Sequence, residues 1–394
     1  MASPRVLALV LAGGAGSRLE LLTEHRAKPA IPVGGSHRMI DVALSNCSHS
    51  HLRHVWVVQQ QHPASLADAL RNGRPWDLDR THGGLMVLPP GQGGDREGWH
   101  QGTADALWKA APLIRELAPE LLLVLSADAL YHLDYTEVID GHQASGAAAT
   151  LVTTEVAAEP ERFGVVQVDQ EGTVTDFAYK PDVAKGNLVS IEVFAFHTDP
   201  VLSSLEDLAS EDPDALEDLG DALLPRLVAA GGVREHRFEG YWRDVGTVDS
   251  YFEAHMDLLP DRSRFQLDDP DWPILSSMDE PGGTRIRRGA KLENVLIGGG
   301  ADIAGTVRNS VVGQGATIEP GASVTHSVVL PGAVVGRNAA VSRTVLDAGA
   351  RVGRNSTVGR PRGRIALVGR DERLRAGTDL AAGGRVPAAD TDRA

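Results

Sequence analysis

A glycine-rich loop followed by two widely spaced cations is the first feature of the chain that could do chemistry. The loop reads LAGGAGSRLELLTEHRAKP and contains Gly13, Gly14 and Gly16 directly after a short apolar run. Glycines let backbone N–H groups approach an anionic ligand, and the side chains of Arg18 and Lys28 would add positive charge. The spacing differs from both the GxxxxGKS/T and the GxGxxG patterns. The loop therefore predicts a phosphate site of another type.

Three charged residues further along the chain could complete such a site. Asp128 follows the apolar run 121–125, and open α/β sheets bind ligands beyond the carboxyl ends of their strands. Asp244 lies in the segment GYWRDVGTVDSY, and Lys180 precedes a proline. Each also has a plain structural explanation: a turn or cap for Asp128, an ion pair with Arg243 for Asp244, and a solvated side chain for Lys180.

The elements that must position these residues alternate along residues 1–255. Short apolar runs of strand length lie at 6–11, 55–58, 121–125, 148–154 and 188–196. Helical patterns lie between or after them at 64–70, 104–117 and 221–230. This alternation predicts a mostly parallel, Rossmann-like α/β sheet that helices cover on both faces.

The rhythm changes after a connector rich in proline and aspartate at 256–284. Apolar, glycine and hydroxyl residues then recur with a period of seventeen. The four-unit columns are Val295, Val312, Val329 and Leu346; Ala301, Ile318, Val335 and Val352; Val307, Val324, Val341 and Val358; and Gly298, Gly315, Gly332 and Gly349, with Ser310, Ser327 and Thr344 beside them. Spacings of six, six and five within each unit are typical of hexapeptide repeats. They predict a left-handed parallel β-helix over 285–383 and a disordered tail over 384–394.

Composition limits the classes of function. The 394 residues carry a formal net charge of −15 and a hydrophobic fraction of 42%, which fits a globular protein and disfavours one that coats nucleic acid. The single cysteine, Cys47, favours a reducing compartment. No apolar stretch has the length of a membrane span. We therefore expect a cytoplasmic protein without nucleic-acid or membrane partners.

Several motifs together resemble one known family. LAGGAGSRL followed by RAKPA, then GGSHRMIDVALSNC, GTADA and GYWRDVGTVDSY, are similar to the ADP-glucose pyrophosphorylases, the bacterial glucose-1-phosphate adenylyltransferases. The resemblance runs from about residue 5 to 370 and includes the repeats. It implies a Mg²⁺-dependent transfer from ATP to α-D-glucose 1-phosphate that yields ADP-glucose and pyrophosphate. It also implies glycogen or α-glucan synthesis and a homo-oligomer, most simply a tetramer.

The resemblance assigns roles to residues at matching positions. The catalytic set is Arg18, Lys28 and Asp128, with Asp128 and Asp244 as metal ligands. Nucleotide binding falls to Ala12, Gly13, Gly14, Gln60, Gly102, Thr103 and Asp105. Sugar-phosphate binding falls to Gly164, Tyr179, Lys180 and Ser190.

Three departures from the family pattern leave alternatives open. The family's FxEKP is FAYKP here, so that Tyr179 stands where a glutamate would bond sugar hydroxyls. SGDH is replaced by SADA around Asp128, and SMGIYVF by SIEVFAF after Ser190. The substrate could therefore be another sugar 1-phosphate, such as glucosamine 1-phosphate, or the chain could be a non-catalytic regulatory paralogue. An acyltransferase using His326, the single histidine of the repeats, is a further alternative.

Overall fold

The computed structural model describes residues 5–14, 16–90, 100–211, 216–261, 264–278 and 282–388. These residues form an α/β domain and a parallel β-helix that share a hydrophobic core. The β-strands of the α/β domain are β1 (Val6–Ala12), β2 (Pro32–Val33), β3 (His37–Arg38), β4 (His54–Gln59), β5 (Gly84–Leu88), β6 (Leu121–Ser126), β7 (Ala129–Tyr131), β8 (Ala149–Glu155), β9 (Gly164–Val168), β10 (Val174–Tyr179), β11 (Leu188–His197), β12 (Val233–Arg237) and β13 (Trp242–Asp244). Its α-helices are α1 (Met39–His49), α2 (Pro63–Leu70), α3 (Thr103–Leu117), α4 (Tyr135–Ser145), α5 (Thr198–Glu211), α6 (Leu223–Ala229) and α7 (Val248–Asp257).

The main sheet has the order β10-β9-β11-β6-β1-β4-β5, and β8 and β12 continue from β11. Strands β6, β1, β4 and β5 are parallel, as the sequence predicts. Strand β11 runs antiparallel to β6, to β8 and to β9. The reversal arises because β9 and β10 form a hairpin ahead of β11, and an antiparallel return needs no helical crossover. The sheet is therefore mixed, with its parallel part at the β1 end.

Both faces of the sheet are covered, because side chains of a strand point alternately to opposite sides. Ala8 and Val10 of β1 pack with α1, α2 and α4, whereas Leu7 and Leu9 pack with α3, α5 and α6. Cys47 lies fully buried in α1 within the first of these cores. Its burial raises the pKa of the thiol, which suits a packing residue rather than a nucleophile.

The β-helix consists of short parallel strands in successive coils. They are β14 (Arg285–Ile286), β15 (Lys291–Ile297), β16 (Asp302–Ile303), β17 (Thr306–Val312), β18 (Thr317–Ile318), β19 (Ser323–Thr325), β20 (Val328–Val329), β21 (Val334–Val335), β22 (Ala340–Ser342), β23 (Thr344–Leu346), β24 (Arg351–Val352), β25 (Thr357–Gly359), β26 (Ala366–Val368), β27 (Arg373–Leu374), β28 (Asp379–Leu380) and β29 (Arg385–Val386). Apolar side chains fill the interior of the coils. The hydroxyls of Ser310 and Ser327 accept bonds from the backbone N–H one coil further on, at 3.1 and 3.2 Å, which explains the periodic hydroxyl column.

The seventeen-residue columns are correct for the central coils and wrong for the first one. Val312 pairs with Ile297 rather than with Val295, and Ile318 pairs with Ile303 rather than with Ala301. The first coil is thus two residues shorter, and its left-handed corner glycine is Gly300 (φ 70°) instead of Gly298. A period alone cannot reveal this, because a neighbouring valine or alanine occupies the expected place.

The last coils extend beyond the predicted end of the β-helix. Strand β29 pairs with β26 in parallel, so residues 385–386 are ordered within the stretch for which a tail was predicted. Residues 389–394 of that stretch lie outside the described residues. At the other boundary, α7 ends at Asp257, two residues past the proposed limit of the first domain.

The two domains are packed against each other through the segment that carries Lys28. Helix α7, the residues around Ile31 and one wall of the β-helix form a single buried cluster. Gly35 comes so close to Gly313 that a Cβ on Gly35 would lie 2.8 Å from the Gly313 Cα. A buried ion pair between Arg26 and Asp347 crosses the same interface. None of the helices in the described part of the chain is long and apolar enough to cross a membrane.

Candidate active site

A cavity of about 510 Å³ opens along the carboxyl ends of β1, β4 and β6. It extends under β9, β10 and β11 on the other side of β6, because those strands follow β6 in the sheet order. Most of the residues singled out in the sequence line it: Ala12, Gly13, Gly14, Arg18, Lys28, Gln60, Gly102, Thr103, Asp128, Gly164, Tyr179, Lys180 and Ser190. The sheet order thus gives the cavity a β1–β4 end, a centre at β6 and a β9–β11 end.

The glycine loop forms one edge of the cavity where β1 ends. Gly16 has a φ of 66°, a left-handed conformation that glycine adopts without a steric penalty. Thr23 donates its hydroxyl to the Gly16 carbonyl at 3.0 Å and thereby closes the loop against a short 3-10 helix, Ser17–Leu22. Arg18 is exposed at the start of that helix, so its guanidinium is available to an anion in the cavity.

Lys28 and Asp128 form the centre of the site. The Lys28 ammonium lies 2.6 Å from Asp128 Oδ2, and Ser126 donates its hydroxyl to Asp128 Oδ1 at 2.5 Å. Burial by itself would lower the pKa of Lys28, but the charges of Asp128 and Asp244 outweigh it and raise that pKa. Burial opposes ionisation of Asp128 as well, yet Lys28 and Ser126 hold the pKa of this carboxyl below its usual range. Both side chains are therefore charged at neutral pH.

Asp244 is brought beside Asp128 by the pairing of two short strands. Asp244 of β13 stands opposite Ala129 of β7, and the next N–H, of Val245, bonds the Asp128 carbonyl at 3.0 Å. Arg162 lies 3.5 Å from the Asp244 carboxylate. Burial and the charge of Asp128 raise the pKa of Asp244. Asp128 is thus close enough to disfavour ionisation of Asp244, an arrangement that suits a shared cation.

The β1–β4 end of the cavity is shaped by the N-terminus of α3. Gly102 leaves no room for a side chain, since a Cβ there would lie 2.2 Å from the Glu217 carbonyl oxygen. The N–H and the hydroxyl of Thr103 both donate to Asp218 at 3.1 Å. The Gln60 amide donates to the His100 carbonyl at 2.9 Å. This end presents backbone and amide groups of the kind that contact a nucleoside.

Asp105 is the predicted nucleotide-binding residue that the structure keeps away from the cavity wall. Its carboxylate accepts the Gln101 N–H at 2.9 Å and pairs with Lys109 at 2.9 Å. It is buried within the first turn of α3. Its contacts stabilise the GTADA turn and the start of the helix.

The β9–β11 end combines a cation, a phenol and a close-packed glycine. Gly164 stands opposite Tyr179 in the β9–β10 pair, and the Phe177 ring covers it so closely that a Cβ would lie 2.6 Å away. Lys180 donates to the Tyr179 hydroxyl at 2.6 Å and lies over its ring, 4.2 Å from the centroid. Lys180 is exposed, so its ammonium can turn toward an anion. Ser190 is buried nearby on β11.

Sequence reasoning missed four polar residues of this site: Ser126, Arg162, Glu192 and Asp218. Ser126 precedes Asp128 by two positions and could have been included from the strand-end argument. Arg162 and Asp218 reach the site from segments distant in the sequence, and Glu192 reaches it through an irregularity in strand β11 that its sequence does not mark.

Two alternative sites find no support in the geometry. No group of three or more histidine, cysteine, aspartate or glutamate side chains within the described ranges could hold a metal ion. Cys47, His49, His51 and His54, which lie close together in the sequence, therefore do not form a metal site. His326 lies in the domain interface, where its ring contacts that of Phe252 of α7 at 5.1 Å. Its Nε2 lies 3.3 Å from the Arg343 guanidinium. These contacts give His326 a packing role between Phe252 and Arg343.

Comparison with known proteins identifies the same two domains. The family of nucleotidyl transferases matches residues 7–261, and the GlmU-like C-terminal hexapeptide family matches residues 283–364. The glucose-1-phosphate adenylyltransferase of Thermotoga neapolitana is 40% identical over 320 residues, which cover 80% of this chain and 75% of that protein. The enzyme of the same name from Bacillus cytotoxicus is 40% identical over 318 residues, or 80% of this chain and 84% of that protein. The chain therefore belongs to the nucleotidyl transferase family and, within it, to the glucose-1-phosphate adenylyltransferases.

Proposed function

We propose that this protein transfers the adenylyl group of ATP to α-D-glucose 1-phosphate and releases pyrophosphate. The observation that carries the proposal is the Lys28–Asp128 pair inside one continuous cavity, with the Asp244 carboxylate beside Asp128. Gln60, Gly102 and Thr103, which we assign to the nucleotide, and Lys180, which we assign to the sugar phosphate, line the same cavity. The names of the relatives agree with this choice of substrates.

The reaction is an in-line displacement at phosphorus. An oxygen of the sugar phosphate forms a bond with the α-phosphorus of ATP, and the bond from that phosphorus to the bridging oxygen of the β-phosphate breaks. The electron pair leaves with pyrophosphate. Such reactions depend on positioning and charge neutralisation rather than on covalent catalysis. Arg18 would hold the departing pyrophosphate, and Lys28 would offset charge that develops around the α-phosphate.

A divalent cation fits the two central aspartates. Mg²⁺ usually takes one or two protein carboxylates and fills its remaining positions with water and phosphate. Asp128 and Asp244 supply two, and burial together with the charge of Asp128 raises the pKa of Asp244, so that a cation between the two carboxylates would be favourable. When bound, Mg²⁺ would supply charge neutralisation at the α-phosphate. These aspartates would therefore be the metal ligands.

A substrate matrix tests the proposal. Pyrophosphate release would be measured with Mg²⁺ for ATP, UTP, GTP and dTTP, each combined with glucose, glucosamine, galactose or mannose 1-phosphate. We expect the highest kcat/KM for ATP with glucose 1-phosphate. A higher value with glucosamine 1-phosphate would reassign the sugar, and silence of folded protein across the matrix would contradict the function.

Lys180 provides a matched pair of variants for the sugar side. Lys180→Ala should raise the KM for the sugar 1-phosphate about 10- to 100-fold, because it removes a charge-assisted contact with the phosphate. Lys185→Ala is the control, since that lysine is 71% exposed and pairs with Asp176 outside the cavity. Equal KM values in both variants would remove Lys180 from the site.

The assembly and the physiological setting follow from family membership. We expect a homotetramer that acts in the cytoplasm and supplies sugar nucleotide for glycogen or another α-glucan. Two large apolar side chains of the first coils, Ile286 and Leu292, are exposed and would lie in a subunit contact. Light scattering that returned the mass of a single chain would contradict the oligomer.

A further inference from the structure

Glu192 carries a carboxylate into the β9–β11 end of the cavity from a break in strand β11. The pairing of β11 with β8 shifts between Ser190 and Phe194, and its pairing with β6 begins only at Val193, opposite Leu125. Glu192 lies in this bulge with a φ of 58°. Bulges of this kind redirect a side chain and are frequent beside active sites. The glutamate is thereby brought next to the strand end that carries Asp128.

The Glu192 carboxylate differs from the other acidic groups that line the cavity. Asp128 is engaged by Lys28 and Ser126, and Asp218 accepts bonds from Thr103. The side chain of Glu192 has no hydrogen bond or ion pair with any other described residue, although it lines the cavity and is largely enclosed. Burial and the charge of Asp128 raise its pKa to about 7. Buried polar groups are normally paired, so this carboxylate lacks a partner that a ligand can supply.

The surroundings narrow the chemistry of that ligand. Glu192 does not join Asp128 and Asp244 in a three-ligand metal group, because no such group occurs among the described residues. The Glu192 carboxylate would repel a phosphate group, so a phosphate is not its ligand. Lys180, which lowers the pKa of Glu192 electrostatically, is the group suited to the phosphate. What remains for the carboxylate is the hydrogen-bond donor next to that phosphate, a sugar hydroxyl.

In the family motif a glutamate stands at position 179, whereas in this chain the nearby carboxylate belongs to Glu192 on β11. Position 179 holds a tyrosine whose hydroxyl is engaged by Lys180 and lies 3.4 Å from Asp218. Its ring packs on Gly220, so it does not offer a carboxylate's two acceptors. Glu192 adopts a left-handed backbone conformation, which carries a steric cost for a glutamate. Backbone strain of this kind is retained where a function requires the side chain.

We propose that the Glu192 carboxylate accepts hydrogen bonds from hydroxyl groups of the bound sugar 1-phosphate and selects the sugar. The inference rests on the proposed function, because it assumes that a sugar 1-phosphate occupies this end of the cavity. Glu192 is then a specificity-determining residue, and Tyr179 is a supporting wall that orients Lys180.

The test compares Glu192→Gln with wild type for both substrates. Glutamine keeps the shape but replaces one acceptor oxygen and the charge, so the KM for glucose 1-phosphate should rise about 10- to 100-fold while the KM for ATP stays within about twofold. Sugar 1-phosphates that lack one ring hydroxyl give a second readout. Removing the hydroxyl that Glu192 binds should lower kcat/KM of the wild type strongly and that of Glu192→Gln much less, a coupling that a merely structural role would not produce.

Two further variants keep the test decisive. Glu155→Gln removes an exposed carboxylate opposite the start of β11 that does not line the cavity, and it should leave both KM values unchanged. Glu192→Gly relieves the left-handed strain, so a loss of sugar affinity in this variant cannot be attributed to misfolding. If the wild type turns over substrate and Glu192→Gln has an unchanged KM for the sugar 1-phosphate, the inference about Glu192 is overturned while the proposed function stands. If wild type shows no turnover, the proposed function fails, and calorimetric titration with glucose 1-phosphate still decides: weaker binding to Glu192→Gln supports the inference, and equal or absent binding overturns it.

Discussion

Lys28 and Asp128 hold opposite charges in a place where water is scarce. Their 2.6 Å contact keeps both groups ionised, although a buried ion pair gives little net stability to a fold. Strongly perturbed groups in a cleft are typical of functional sites. We interpret the pair as two groups that are kept charged for the substrates. Lys28 would neutralise phosphate charge, and the Asp128 carboxylate would coordinate a cation.

Replacement of Asp128 tests this interpretation at a single residue. Asp128→Asn keeps the volume and an acceptor for Ser126 but removes the negative charge, and we expect kcat to fall about 1,000-fold. Steady-state pyrophosphate release measures the effect, with Asp182→Asn as a control at an exposed position that does not line the cavity. A variant that kept more than a tenth of wild-type kcat would exclude Asp128 from metal binding.

Site residues could be predicted from the sequence where a local motif determines their position. Arg18, Lys28 and Asp128 follow strands or lie in a glycine loop, and the structure brings them to one cavity. Glu192 could not be recognised, because its direction depends on a bulge created by pairing with two distant strands. Asp105 shows the opposite case. Its motif is local and can be recognised, but its carboxylate accepts a hydrogen bond within the turn instead of lining the cavity.

At the scale of elements, the turn after β13 fixes the position of Asp244. Gly246 faces this carboxylate, and a Cβ there would lie 2.8 Å from Asp244 Oδ2 and 3.4 Å from the Arg18 guanidinium. The restriction is steric, since the backbone of Gly246 is not left-handed. The turn therefore keeps the aspartate aimed at the site by leaving out a side chain.

Gly246→Ala should lower kcat about 100-fold by displacing the Asp244 carboxylate, with little effect on thermal unfolding. Gly141→Ala is the matched control: it lies in α4 with open space around its Cα, so activity should persist and stability rise slightly. Assays of both purified variants at saturating substrate give the comparison. Wild-type kcat in Gly246→Ala would contradict the requirement for a fixed Asp244.

Asp41 makes the stability of α1 depend on pH. One of its oxygens accepts the Arg38 N–H at 2.8 Å, and the Ser276 side chain also favours the charged form, but neither contact offsets burial. Burial raises the pKa of Asp41 to about 7, well above its usual range. The folded state thus binds a proton that the unfolded chain releases at about pH 4.

The sign follows from linkage. Stability from Asp41 is fully present below the pKa of the unfolded chain and is lost as pH rises through about 7. Asp41→Asn keeps an acceptor for Arg38 but cannot titrate. The thermal midpoint of wild type should therefore fall relative to that of Asp41→Asn between pH 5 and pH 8. Parallel midpoints in calorimetry over this range would show that Asp41 is not protonated in the fold.

At the scale of the whole molecule, the β-helix supports the active site from behind. Arg26 lies only two residues before Lys28. Its side chain is 6% exposed and pairs with the fully buried Asp347 of the β-helix. Helix α7 and the wall formed by β17, β20 and β23 share a hydrophobic core. The position of Lys28 is therefore tied to the second domain.

Breaking the buried pair should be costly for both stability and turnover. Arg26→Met leaves Asp347 uncompensated, which typically costs about 3–5 kcal/mol, and it should lower kcat by loosening the Lys28 segment. The double variant Arg26→Met/Asp347→Leu removes both charges and should recover much of the lost thermal midpoint. Arg360→Met is the control, because its pair with Asp379 is solvent-exposed and contributes at most about 1 kcal/mol. Equal effects of Arg26→Met and Arg360→Met would contradict a structural tie between the domains.

The two-domain plan could be predicted from periodicity, and its irregular coils could not. Central coils repeat every seventeen residues because inward valines must stack in register, as Val324, Val341 and Val358 do. The sequence separation between Val358 and its partner Leu380 is longer than seventeen residues, because residues 360–364 form an inserted loop that projects from the coil. A corner loop of this kind changes the period without disturbing the core, so spacing alone does not reveal it.

The fate of the sugar-phosphate oxygens tests the central claim most directly. Glucose 1-phosphate labelled with ¹⁸O throughout its phosphate would be incubated with ATP, Mg²⁺ and the protein, and all products analysed by mass spectrometry. Attack on the α-phosphorus predicts ADP-glucose that carries the whole label and pyrophosphate that carries none. Labelled sugar bisphosphate with ADP, or pyrophosphate without any sugar nucleotide, would contradict the account.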